Sequence, residues 1–210
     1  TNKKKKYFIV VIVACLFHTS ALMGFAIYFL YVYSQRKREY VKIANFRLDG
    51  SLAPVKVFIY GAIVLLSLNV IAVLLRTFGL AKYAGYIQGN GSIYLMPSQI
   101  ILRLPIIILL IIRWKRMMAE DELTPFYGSM LVLDLLASQL ISINVYAFRI
   151  ASFFSEYNML SYSALVYAGN RRYRTNRYVT LFYVLAYMAY YWVYYYAITG
   201  THATFPYLFA

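Results

Sequence analysis

Lys3-Lys4-Lys5-Lys6 leads into YFIVVIVACLFHTSALMGFAIYFLYVY (Tyr7–Tyr33), which ends against Arg36-Lys37-Arg38. The run holds 27 residues. One membrane span needs about 20 apolar residues, so the run is long for one crossing and short for two. Both flanks are basic, and loops kept in the cytoplasm collect Lys and Arg. A single crossing would put one basic cluster outside. A run that enters and returns to the same side avoids this. It would be two helices of about eleven to thirteen residues meeting near His18-Thr19-Ser20. Such re-entrant structure is tolerated where it is buried in protein or lines a watery cavity, which would set His18 at a cavity floor. One long tilted helix is the rival reading.

The rest of the chain repeats the logic. It has 210 residues, is 62% hydrophobic and has a mean hydropathy of +0.61, whereas soluble domains are roughly 45–50% apolar. Five more apolar runs read as ordinary spans: Val57–Phe78, Ser98–Ile112, Phe126–Ala147, Ile150–Ala168 and Tyr178–Thr199. Backbone polar groups in lipid need partners within their own segment, so these runs must be helices. Seventeen of the 21 Lys and Arg residues fall in four clusters, Lys3–Lys6, Arg36–Lys56, Arg113–Arg116 and Arg171–Arg177. With a re-entrant first run, all four lie inside, and only Arg76, Lys82, Arg103 and Arg149 lie towards the outside. The expected fold is therefore all-α: a polytopic transmembrane helix bundle with a short re-entrant helical hairpin at its N-terminal end. Residues 1–210 read as one integral membrane domain. Lys3–Lys6 and the apolar run mimic a signal peptide, but the run is too long for an h-region and no small-residue cleavage site follows.

The net charge of +14 sits at membrane edges, so it points to anionic lipid headgroups and not to nucleic acid. Cys15 is the only cysteine, which excludes an intrachain disulfide and a Cys/His metal cluster. No nucleotide-binding motif is present, and neither a cofactor nor a metal is expected. Tyrosine is abundant at 24 residues. The dense run Tyr190, Tyr191, Tyr194, Tyr195 and Tyr196 reads as interfacial belt plus helix packing, with sugar stacking as the alternative.

Two carboxylates fall within the spans, Asp134 and Glu156. Intramembrane ionisable groups face a bundle interior or a cavity. Arg149, Ser152 and Glu156 share one helix face over two turns. This stripe is open to two readings, a structural ion pair or a catalytic group. Arg103 lies about one turn into its span from the outer end. An anionic ligand at the outer face would explain Arg103, Arg149 and Lys82, since Arg meets phosphate oxygens bidentately. Snorkelling to headgroups is the alternative, and it suits Arg76 and Lys82 best. His18 is a candidate general base, or a group hydrogen-bonded to a neighbouring helix.

Four motifs occur in order along the chain: Phe17-His18-Thr19-Ser20-Ala21-Leu22, Lys82-Tyr83-x-x-Tyr86, Arg149-Ile150-Ala151-Ser152-Phe153-Phe154, and Phe205-Pro206-Tyr207. The set resembles the EpsG-like family of Wzy-type exopolysaccharide and O-antigen polymerases, in its C-terminal part, which would make the chain a portion of a longer protein. The resemblance implies a multi-pass protein of the bacterial cytoplasmic membrane. It would join repeat units carried on undecaprenyl diphosphate at the outer face, alongside other polysaccharide-assembly proteins. His18 and Glu156 would then be the catalytic candidates. Arg149, Arg103, Lys82, Tyr83, Tyr86 and Tyr207 would bind the polyprenyl-diphosphate-linked glycan. A non-catalytic carrier or flippase component, or a structural subunit of an export complex, is the alternative.

Overall fold

The computed structural model describes residues 2–17, 19–35, 41–43, 46–48, 52–81, 84–85, 95–142, 148–167 and 174–194. The first apolar run is a helical hairpin. Helix α1 (Asn2–Phe17) is followed by a 3₁₀ turn (Thr19–Leu22) and helix α2 (Met23–Gln35). The Tyr7 hydroxyl donates to the Gly24 carbonyl at 2.7 Å. In one straight helix those residues would stand about 25 Å apart. Tyr7 stacks on Tyr28 and Phe8 on Phe25, both with centroids 5.7 Å apart. A Cβ on Gly24 would come within 2.8 Å of Val11, so glycine lets the two helices close.

Beyond the hairpin, Val41–Ile43 and Phe46–Leu48 form a two-stranded antiparallel ribbon, β1 and β2, with Lys42 opposite Arg47. The all-helical reading did not contain this ribbon. Among the described residues, five long helices follow: α3 (Ala53–Thr77), α4 (Pro97–Glu120), α5 (Thr124–Ser138), α6 (Phe148–Tyr167) and α7 (Arg174–Trp192). A 3₁₀ turn, Gln139–Ser142, extends α5. Pro54, Pro97 and Pro125 lie in the opening positions of α3, α4 and α5. There the missing N–H costs nothing and the fixed φ suits the helix. Helix α3 ends in a Schellman motif: Leu80 N–H donates to Leu75 O, Gly79 N–H to Arg76 O, and Gly79 has φ +75°. Glycine takes that left-handed position at no steric cost.

Among the described residues, three helices are long and apolar enough to cross a bilayer: Ala53–Thr77, Pro97–Glu120 and Thr124–Ser142. The runs read as Ile150–Ala168 and Tyr178–Thr199 are helical as far as Tyr167 and Trp192, in α6 and α7. Helix α4 is longer than its apolar run, because Lys and Arg are good helix formers and carry it through Arg113–Arg116. Pro105 lies within it without ending it.

Helix α5 is the centre of the bundle and touches α2, α3, α4 and α6. Small residues bring the neighbours close. A Cβ on Gly61 of α3 would meet Leu136 at 2.5 Å, and one on Gly128 would meet Pro54 and Trp114 at 2.8 Å. The Ser129 hydroxyl donates back to Pro125 O at 2.7 Å, which satisfies it inside the helix. One apolar cluster joins α4, α5, α6 and α7 through Ile106, Leu110, Leu131, Leu165 and Val184. A second joins α2, α5 and α6 through Ile27, Leu30, Met130 and Phe154. By contrast, α3 turns Phe58, Ile63, Leu66, Val70 and Leu74 outward, as lipid-facing helices do.

Basic residues gather at one end of the bundle. Gln35 Nε2 donates to Glu122 O at 3.3 Å, tying the end of α2 to the α4–α5 turn. Lys3 and Lys4 line a pocket with Tyr31 and Phe126 there. Arg113 Nη2 donates to Thr180 Oγ1 at 2.9 Å, and Arg177 lies over the Tyr167 ring. At the opposite end, Met96 N–H donates to Gln139 Oε1 at 2.9 Å.

Candidate functional site

The polar centre of the bundle is assembled from four helices, α4 to α7. Arg103, in the second turn of α4, is 1% exposed. Its Nε donates to Asp134 Oδ2 at 2.9 Å and its Nη2 to Asp134 Oδ1 at 3.0 Å. Its Nη1 donates to Gln99 Oε1 at 2.9 Å and to Gln99 O at 3.3 Å. Asn158 of α6 donates from Nδ2 to Asp134 Oδ2 at 3.1 Å and is itself fully buried. Its Oδ1 is buried with no hydrogen-bond partner among the described residues. From α7, the Tyr191 ring faces the Arg103 guanidinium at 5.9 Å. Tyr187 packs against Tyr191 and, edge to face, against Tyr162.

The arrangement is a fork-on-fork ion pair with its remaining valences largely taken by amides. Bidentate Arg–carboxylate contacts are the strong, geometrically specific kind. Two charges held deep in an apolar bundle must be paired to be tolerated. Arg103 cannot offer its fork to a phosphate without releasing Asp134. The structure therefore places Arg103 as a clamp between helices, not as a free outer cation. The sequence separates Arg103 from Asp134 by 31 residues, and only the packing of α4 on α5 joins them. The sequence marks Asp134 by its depth in a span, whereas nothing in it assigns Gln99, Asn158, Tyr162, Tyr187 or Tyr191 to a site.

Of the remaining candidates, Arg149 and Glu156 lie in a described helix, α6. Arg149 is the second residue of α6, so it sits at a helix N-terminus, where the backbone favours anions. Glu156 is on an exposed face of α6, about 200° around the helix from the buried Asn158. The described part of the bundle does not bring it to Arg103. His18 falls between α1 and the 3₁₀ turn, and it lies outside the described residues, as do Lys82, Tyr83, Tyr86 and Tyr207. Among the described residues no group of three or more His, Cys, Asp or Glu could hold a metal ion.

The sequence model of the EpsG family matches residues 1–209. The chain belongs to the EpsG family. No curated protein and no solved structure matches it. EpsG is a Wzy-like polymerase family, so membership points to a glycan-polymerase type of function in a membrane. Both the family resemblance and the helical membrane bundle expected from the sequence are thereby borne out.

Proposed function

We propose that this EpsG-family protein joins oligosaccharide repeat units carried on undecaprenyl diphosphate, at the outer face of the bacterial cytoplasmic membrane. The observation that carries this reading is the family match along residues 1–209 of a helical membrane bundle. In the proposed reaction a hydroxyl of the incoming unit attacks the anomeric carbon of the growing glycan. The bond from that carbon to the diphosphate oxygen breaks, and undecaprenyl diphosphate leaves. His18 or Glu156 takes the hydroxyl proton. Arg149 and the N-terminus of α6 hold the leaving diphosphate, since fixed cations placed where charge develops lower the barrier. Lys82, Tyr83, Tyr86 and Tyr207 supply further outer contacts to the glycan. Arg103 acts behind this site, by fixing α4, α5 and α6 through Asp134 and Asn158.

The test is a joining assay with protein reconstituted in vesicles and lipid-linked repeat units as the only sugar source. A ladder of longer glycans supports the polymerase. Unit binding or transfer between leaflets without lengthening assigns the protein as a carrier.

A further inference from the structure

Residues of helices α6 and α7 line a groove of about 930 Å³ that reaches the basic end of the bundle at Arg177. Its walls are apolar side chains, among them Met159, Val166, Leu181, Leu185 and Met188. Among the described residues, no acidic side chain lines it. At one mouth stands Arg177, exposed, with its guanidinium 4.0 Å above the Tyr167 ring. A guanidinium held over a ring keeps N–H donors around its edge with which to meet an oxyanion. The groove is therefore amphipathic along its length, with a fixed cation at one end and hydrocarbon beyond it.

The dimensions are those of one leaflet. From Arg177 to Met188 the groove follows α7 for about 16 Å. Half the hydrocarbon thickness of a bilayer is about 15 Å. The mouth lies at the end that carries Lys3, Lys4 and Arg113, and by the charge rule that end faces the cytoplasm, where anionic lipids are enriched. We infer that this groove binds one anionic glycerophospholipid of the cytoplasmic leaflet, with its phosphate on Arg177 and an acyl chain between α6 and α7. A long polyprenyl chain would far outrun a groove of one leaflet's depth. The lipid would brace α7, which also carries Tyr187 and Tyr191 to the buried ion pair. The inference rests on the membrane bundle alone and stands whichever glycan chemistry the protein performs.

The experiment uses the full chain in nanodiscs of equal parts phosphatidylcholine and phosphatidylglycerol, with retained lipids read by native mass spectrometry after gentle extraction. Wild type should retain phosphatidylglycerol over phosphatidylcholine by about fivefold. Arg177→Gln should lose that preference while still retaining a lipid. Leu185→Trp, at an exposed wall position, should fill the groove and lose the retained lipid of either headgroup. A full preference in Arg177→Gln, or full retention in Leu185→Trp, would overturn the site. Displacement of phosphatidylglycerol by an equal amount of undecaprenyl phosphate would overturn the assignment to a glycerophospholipid.

Discussion

A guanidinium and a carboxylate sealed together in an apolar bundle are tolerable; either alone is not. Arg103 and Asp134 are 1% and 3% exposed, so the stability of the pair is a matter of both or neither. Asp134→Ala should destabilise the protein by about 3–5 kcal/mol, because it strands the Arg103 charge. Arg103→Met combined with Asp134→Leu should recover most of that loss, since similar apolar volume replaces the pair. Thermal unfolding in detergent, followed by size-exclusion chromatography, reads both variants. Wild-type melting of Asp134→Ala would remove the clamp from the account. Arg149 makes the opposite kind of prediction, on rate and not on stability. If it grips a diphosphate with both arms, Arg149→Lys should fail almost as badly as Arg149→Ala, because a point charge does not reproduce the fork. The loss would be about 2–4 kcal/mol, or roughly thirtyfold to a thousandfold in rate. Polymer length and yield in cells at matched protein level measure it; free substitution by Lys would mark a mere headgroup anchor. At this scale the sequence was partly legible. The depth of Asp134 marked it as important. Its partner was hidden, because no sequence pattern sets the register of α4 on α5. Asn158 carries no charge and left no signal at all.

The N-terminal hairpin shows what patterning can and cannot resolve at the level of elements. Its turn was legible because two basic flanks cannot both stay inside if the run crosses once. The closure itself depends on Gly24 admitting Val11 and on Tyr7 reaching the Gly24 carbonyl, contacts between positions far apart in sequence. Cysteines at Val11 and Gly24, in a Cys15→Ser background, should cross-link readily under mild oxidation. In a single straight helix they would lie about 20 Å apart and stay reduced. A mobility shift on non-reducing gels separates the two cases. Helix α4 outruns its span for a different reason: Arg113–Arg116 ends the apolar run without ending the helix. The ribbon of Val41–Ile43 and Phe46–Leu48 lay within a charged segment read as loop, and its β-branched and aromatic residues were too few to declare a strand.

At the scale of the whole molecule, the arrangement of charge decides orientation. Contacts from Gln35 to Glu122, from Arg113 to Thr180 and from Arg177 to Tyr167 draw the basic clusters to one end. That grouping was legible because the sorting of Lys and Arg is a sequence rule. Single cysteines at Asn45 and Thr175 should then be shielded from an impermeant reagent applied to intact cells. Single cysteines at Asn90 and Thr201 should be modified. Labelling at Asn45 would mean that the hairpin crosses the membrane after all. The central claim concerns chemistry on the other face, and sealed proteoliposomes of known orientation test it most directly. Lipid-linked repeat units are placed in one leaflet at a time, and glycan length is read by electrophoresis. A ladder is expected when the units occupy the leaflet on the Asn90 and Thr201 side, and none when they occupy the leaflet on the Thr175 side. Units left unextended in both leaflets, or extended only from the Thr175 side, would contradict it.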